Sequence, residues 1–291
     1  MQLGILLSGT GYLVPSWEQG FAEAQAMGYT HVELAGNDVS GRGDKPDLGK
    51  VEVEEAQRIV ARARDWGLSV SAIQSHQGFL QADRAAFEAA VAHTARMLDL
   101  AAACGIPVVH TVSGHVRALP EEQAWPQLTE AYNRLLEHAR RAGVRLAIEP
   151  VFVYRVGNLA TLQRLLELVE GEDLAINYDP SHFPYHDESP LPLIEQFADR
   201  IVHAHAKDAV VEPDPEGLAR GTENEMPGGR RFRFAPPGQG QLDFVAIVRT
   251  LREHGYDGVL SLELGHGIAD QTQAAREALT FLREVLAQVG T

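Results

Sequence analysis

With 291 residues, 45% of them hydrophobic, the chain is long enough for one large α/β barrel and short for two independent domains. Its 40 acidic residues against 25 basic ones leave a formal charge of −15, which repels nucleic acid and anionic membranes. A single cysteine, Cys104, excludes an intrachain disulfide; with no basic leader at the N-terminus and no apolar stretch long enough to span a bilayer, a cytoplasmic protein is expected.

The first apolar run, near residues 2–7, reads as a strand. Ser16 followed by Gln19 forms a capping-box pattern ahead of Phe21, Ala24 and Met27, and Gly28 is placed to end that helix. Short apolar runs near 31–35, 68–75, 106–112, 144–150, 174–180, 200–207 and 258–264 then alternate with segments of helical spacing. Phe87, Val91, Thr94 and Leu98 line one helical face, as do Phe244, Ile247, Val248 and Leu251 before Gly255, and Cys104 is expected to be buried in an Ala-rich helix. Eight strand-helix units predict an α/β protein with one (β/α)8 TIM-barrel domain over residues 1–291. One connection is long: roughly residues 209–239 read as a Pro-, Gly- and Arg-rich loop. It is either a lid over substrate or an insertion whose Arg220, Arg230, Arg231 and Arg233 are solvated.

Four of the strand-like runs end in a side chain able to bind a metal. Glu149 follows Leu146-Ala147-Ile148, Asp179 follows Ala175-Ile176-Asn177-Tyr178, His205 ends Ile201-Val202-His203-Ala204, and Glu263 follows Val259-Leu260-Ser261-Leu262. In a parallel barrel the C-terminal strand ends form one rim, so the four can meet at one ion. The strand period of two adds a constraint: Glu149 shares a face with Ala147, Asp179 with Asn177, His205 with His203 and Glu263 with Ser261. Two glutamates, an aspartate and one imidazole suit Mn2+, Mg2+ or Co2+, and Zn2+ is admissible; one ion is expected, Mn2+ first. Held against neighbouring oxygens of a hydroxyketone, it would stabilise the charge left by removal of the adjacent C–H proton, giving a metal-bound enediolate. Glu149 and Glu263, ending the fifth and eighth strands, would flank the substrate as acid and base. A proton returned to the opposite face is epimerisation; one moved between adjacent carbons is aldose-ketose isomerisation.

Leu146-Ala147-Ile148-Glu149-Pro150, Asp179-Pro180-Ser181-His182, His203-Ala204-His205-Ala206-Lys207-Asp208 and Leu262-Glu263 resemble the markers of the xylose-isomerase-like TIM-barrel superfamily, the sugar phosphate isomerase/epimerase family, over almost the entire chain. Likeness to its D-tagatose 3-epimerase, inosose isomerase and hydroxypyruvate isomerase members implies Glu149, Asp179, His205 and Glu263 as the metal quartet. It further implies that both glutamates serve as acid and base and that His182 contacts substrate oxygens. Gly238-Gln239-Gly240 resembles the Gly-rich turn before the seventh helix. The ketose 3-epimerases carry an arginine shortly after the metal histidine, where this chain has Lys207-Asp208-Ala209-Val210-Val211. A ketohexose is therefore disfavoured, and Lys207 either binds a substrate oxygen or carboxylate or pairs with Asp208 to fix the loop.

Other polar residues have two readings each. Glu33, ending the second strand, resembles a substrate-side acid of the superfamily or is a hydrated rim residue. His76 and His110 end strands three and four, where they bind substrate or a second metal, or pack as structural groups. His115, His186 and His266 read as hydrated rim residues, His203 as a packed histidine one layer below His205, and Phe152, Tyr154, Phe183 and Tyr185 as pocket walls or plain core.

A sugar, polyol ketone or related hydroxyketone is the expected partner of a metal-dependent isomerase or epimerase in carbohydrate metabolism, with no nucleic acid and no membrane; a homo-oligomer is compatible. The alternative is a dehydratase resembling inosose or 3-dehydroshikimate dehydratase, in which a β-hydroxyl is expelled. An endonuclease IV-like trinuclear zinc enzyme would use His76, His110 and His182, but the acidic charge opposes it and Arg231-Phe232-Arg233-Phe234-Ala235 offers no Asp-x-His pair. A non-catalytic sugar-binding barrel with a structural metal is the reading of a different class. No Gly-x-Ser-x-Gly elbow, P-loop or dinucleotide fingerprint occurs.

Overall fold

The computed structural model of the chain describes residues 1–37, 45–265 and 267–290, so the expectation for His266 lies outside the described residues. The elements run β1 (Gln2–Leu7), α1 (Trp17–Met27), β2 (His31–Ala35), α2 (Val53–Asp65), β3 (Ser69–Gly78), α3 (Arg84–Cys104), β4 (Val108–Val112), α4 (Glu121–Ala142), β5 (Arg145–Ile148), α5 (Leu159–Leu168), β6 (Ala175–Tyr178), α6 (Leu191–Phe197), β7 (Ile201–Ala206), β8 (Asp208–Pro213), β9 (Glu225–Met226), β10 (Arg230–Ala235), α7 (Phe244–Glu253), β11 (Val259–Leu262) and α8 (Gln271–Val289). Strands β1 to β7 and β11 pair in parallel and close into a barrel, a single (β/α)8 TIM barrel. No described helix is long and apolar enough to cross a membrane.

The local signals act as their chemistry dictates. Ser16 accepts from the Gln19 backbone at 3.2 Å, and Gly28, at φ 98°, donates to the carbonyls of Ala24 and Gln25. The box is only half formed, because the Gln19 side chain donates to Glu23 instead. A complete capping box occurs at Asn158 and Thr161. The predicted apolar faces of α3 and α7 are buried, as is Cys104.

Inside the barrel, strand alternation is adjusted by three irregularities, one of them between Gln74 and Gly78 where β3 meets β4. Register shifts between β2 and β3 make Ser71 an extra residue, and between β6 and β7 they do the same for Val202. A small apolar layer of Ala72, Val108, Ala147 and Ala175 fills part of the interior. Two residues further along three of those strands come His110, Glu149 and Asn177, so the polar layer stands directly on the apolar one toward the C-terminal rim.

The expected loop at about 209–239 is largely folded. Strands β8, β9 and β10 form a three-stranded antiparallel sheet in the order β8-β10-β9. Arg231 lies directly opposite Glu212 and pairs with it at 2.7 Å; Arg233 reaches the same carboxylate at 3.4 Å. Arg230 forks onto both oxygens of Asp187 at 2.8 and 2.9 Å. Three of the four arginines thus tie the sheet together or to the rim while staying partly exposed to solvent. Buried Asp208 anchors its base, accepting from the backbone of Ala209 and Leu242 on one oxygen and of Gly238 and Gly240 on the other. A Cβ at Gly240 would sit 2.1 Å from Asp208 Oδ1, so the Gly-rich turn exists to let this carboxylate in.

Candidate metal centre

Strand register brings the predicted quartet together. The Glu149 backbone donates to Thr111 and that of Glu263 to Ala206, so both remain in the ladder just past their strands, aimed inward. Asp179 caps the short 3-10 helix Pro180–His186: Oδ1 accepts from the Ser181 backbone at 2.8 Å, leaving Oδ2 for the site. One ligand atom from each of Glu149, Asp179, His205 and Glu263 lies within 4.8 Å of all the others.

The donor set fits a divalent cation. His205 Nε2–H donates to Glu33 Oε2 at 3.2 Å, which turns Nδ1 toward Glu263 Oε2 at 2.8 Å, Glu149 Oε2 at 3.5 Å and Asp179 Oδ2 at 3.7 Å; in the metal-free fold this nitrogen holds a proton that a cation would displace. Asp179 Oδ2 is buried and is balanced by the Lys207 ammonium at 2.8 Å. Three carboxylates and one imidazole nitrogen converging at this range are the environment a divalent cation stabilises.

Opposite charges alternate around the site. Burial alone would raise the Glu149 and Asp179 carboxyls, but His205, His182 and His76 around the first, and Lys207 and His182 beside the second, hold both well below the ordinary range. Burial likewise opposes ionisation of Glu263, yet Lys207 and His205 bring it down to about 2. Glu33, Glu149 and Glu263 outweigh burial at His205, as Asp179, Glu263 and Glu149 do at Lys207, and raise both. All three acids therefore stay ionised and ready to ligate.

The remaining predicted residues separate into two groups. His182 Nε2 lies 3.3 Å from Glu149 Oε1 and 3.4 Å from Asp179 Oδ2, and its buried Nδ1 has no partner among the described residues. Lys207 Nζ sits 2.8 Å from both Asp179 Oδ2 and Glu263 Oε2, so it turns to the quartet and leaves loop fixing to Asp208. His76 Nε2 is 3.4 Å from Glu149 Oε2 at the edge of the site. Glu33 is buried, which corrects its hydrated reading: its oxygens are taken by His110 at 2.5 Å, His205 and Ser261, on the far side of the His205 ring from the other ligands. His110 has no exposure and gives Nε2 to Glu33, while its Nδ1 lies 3.5 Å from Glu149 Oε2 and 3.3 Å from His76 Nε2.

Sequence reasoning passed over three kinds of residue. Asn177 donates to Glu149 Oε2 at 2.8 Å and accepts from His203 Nδ1 at 2.9 Å, while Ser261 donates to Glu33. Both lie two residues before a ligand on the inward face, a signal present in the alternation. Phe232 and Phe234 of β10 form, with Phe152 and Tyr185, an aromatic roof: Phe152 stacks on His182 at 5.7 Å, Phe234 meets it edge-on at 5.4 Å, and Lys207 Nζ lies 4.5 Å from the Phe234 ring centre. Phe183, by contrast, belongs to the main core. His115 pairs with Glu223 at 2.8 Å and His186 donates to the Phe152 carbonyl at 3.1 Å, so neither is merely hydrated. A cavity of about 350 Å³ lined by His115, Tyr154, Tyr185 and His186 lies on this rim beside Phe152.

A closed parallel barrel whose C-terminal rim gathers three carboxylates and one imidazole defines the class of (β/α)8 barrels built to hold a divalent metal. Within that class, the chain belongs to the xylose isomerase-like TIM barrel family, whose model matches residues 21–285. It is similar to an inosose dehydratase of Clostridium perfringens, 26% identical over 165 residues, and to one of Lacticaseibacillus casei, 27% identical over 142 residues. These matches cover 56% and 49% of this chain and 55% and 47% of the relatives, so the chain spans about half the length of the curated relatives it matches. Among solved structures, an IolI protein with a bound zinc atom superposes with TM-score 0.76 at 18% identity, covering 100% of both chains. The 3-keto-D-glucoside 4-epimerase of E. coli superposes with TM-score 0.74 at 18% identity, covering 98% of this chain and 99% of that one. At these identities the likeness is one of fold.

Proposed function

We propose that the protein is a divalent-metal-dependent dehydratase of a polyhydroxy ketone of the inosose class, with Mn2+ as the cation and Glu149, Asp179, His205 and Glu263 holding it. The observation that carries this is the convergence of those four ligand atoms with two buried cationic donors, His182 and Lys207, packed against them. When bound, the cation would draw electron density from the ketone and its neighbouring oxygen and stabilise the charge that proton removal creates. Glu149 and Glu263 are the acid-base pair: one takes the proton from the carbon beside the carbonyl. His182 Nε2–H and Lys207 Nζ orient the substrate oxygens, and His182 gives its proton to the β-hydroxyl that leaves as water. His76 borders the same space and contacts the substrate edge. The β8-β10-β9 sheet acts as the lid, because the quartet and Lys207 are at most 3% exposed beneath its aromatic roof and substrate enters only when that roof lifts. The partner is a small hydroxyketone in the cytoplasm; a surface of net charge −15 does not favour nucleic acid or anionic membrane.

The relatives' names move the preferred outcome from isomerisation to dehydration. Epimerisation is the second reading, favoured by two glutamates on one site, either of which can return the proton instead of letting the hydroxyl go. Incubation of metal-loaded protein with an inosose in D2O separates them by product mass. A product lighter by one water supports dehydration; unchanged composition with one deuterium in place of a C–H proton supports epimerisation. No exchange and no mass change across a panel of inososes and related polyol ketones would sink both.

A further inference from the structure

Behind the quartet, and outside every role assigned so far, lies a carboxylate with no access to solvent. Glu33 is fully buried in the middle of β2, between Val32 and Leu34, which face the helices and so direct it into the barrel. A bare buried carboxylate is costly, and each of its oxygens is accordingly engaged. Oε1 accepts from His110 Nε2 at 2.5 Å; Oε2 accepts from Ser261 Oγ at 2.9 Å and from His205 Nε2 at 3.2 Å. The Ser71 bulge, whose hydroxyl donates to the Val32 carbonyl, helps set the register that brings Glu33 to this depth.

We infer that Glu33 is the positioning residue of the metal centre. It holds the His205 ring by Nε2–H so that Nδ1 alone faces Glu149, Asp179 and Glu263. An imidazole can ligate through either nitrogen, and the hydrogen bond made by the other one decides which. Ser261 and His110 fix Glu33 in turn, so His205 is clamped from below by three side chains on three other strands. The clamp accounts for the burial of this acid: its work is on the ring. It presupposes the metal site proposed above.

Zinc alone serves as the probe. Affinity is measured by competition with a chromophoric chelator for the wild type and for Glu33→Gln, which keeps the shape but replaces the charged acceptor with a neutral amide. The ring nitrogens of His205 are read by 15N NMR on the zinc-loaded proteins. Glu33→Gln should weaken zinc binding by about 10- to 100-fold while the metal-free chain unfolds at nearly the wild-type temperature. In the wild type His205 should show zinc on Nδ1 and hydrogen on Nε2. Glu33→Ala, which also opens a cavity, serves only as a second affinity point. Wild-type zinc uptake with unchanged affinity in Glu33→Gln, or zinc on Nε2 of His205, would overturn the inference and leave the metal site standing. A wild type that takes up no zinc would overturn both.

Discussion

Lys207 Nζ lies 2.8 Å from Asp179 Oδ2, a buried oxygen of the quartet, and pairs equally closely with Glu263 Oε2. The ammonium and a divalent cation thus draw on the same carboxylates, and they repel each other. Lys207→Met should tighten metal binding by about tenfold, the scale of one unit-charge interaction at an effective dielectric between protein and water. It should also slow turnover by roughly 100- to 1,000-fold, as expected for loss of a donor to developing charge. Chelator competition and steady-state kinetics check the two halves separately. Weaker metal binding in the variant would mean that the lysine organises the ligands instead of competing with the ion.

Phe234 touches both His182 and Lys207, so its removal should be felt in substrate binding more than in folding. Phe234→Ala should cost about 1–2 kcal/mol of stability, less than a fully buried aromatic, because the ring is only partly enclosed. KM should rise with kcat changed less. Urea unfolding and Michaelis-Menten kinetics give the comparison, and an unchanged KM would remove the roof from the account of binding.

Asp208 satisfies four backbone N–H groups at the root of the inserted sheet. Asp208→Ala strands those donors and should destabilise the protein by about 3 kcal/mol. Limited proteolysis should then cut first between residues 209 and 239. Cleavage elsewhere would show that the sheet holds without its anchor.

Glu263 titrates at about 2 in the metal-free fold against an ordinary 4.5. A depressed carboxyl binds fewer protons folded than unfolded, so it contributes stability above pH 4.5 that is lost as pH falls toward 2. Glu149 and Asp179 shift the same way. Stability of the metal-free chain should fall across that acid window, with a shallower slope for Glu263→Gln in pH-dependent urea unfolding. Equal slopes would place the titration elsewhere.

The barrel and the quartet were legible in the sequence because both follow from period: eight apolar runs, and four ligands at equivalent ends of strands with matching parity. Glu33 was visible as a strand-end acid, but its place behind His205 was not. That depends on a bulge at Ser71 and on which side of a ring an oxygen arrives, neither of which a period reports. The inserted sheet was hidden by its Pro, Gly and Arg content. Its strands are short, and the Phe232-x-Phe234 alternation gains meaning only once Arg231 and Arg233 are seen against Glu212 across the ladder.

Metal content of protein purified without chelators, measured by elemental mass spectrometry alongside His205→Ala, tests the central claim most directly. About one Mn, Co, Mg or Zn per wild-type chain, lost in the variant, is the predicted result. No bound ion even after metal is supplied, or an ion count unaffected by the substitution, would contradict it.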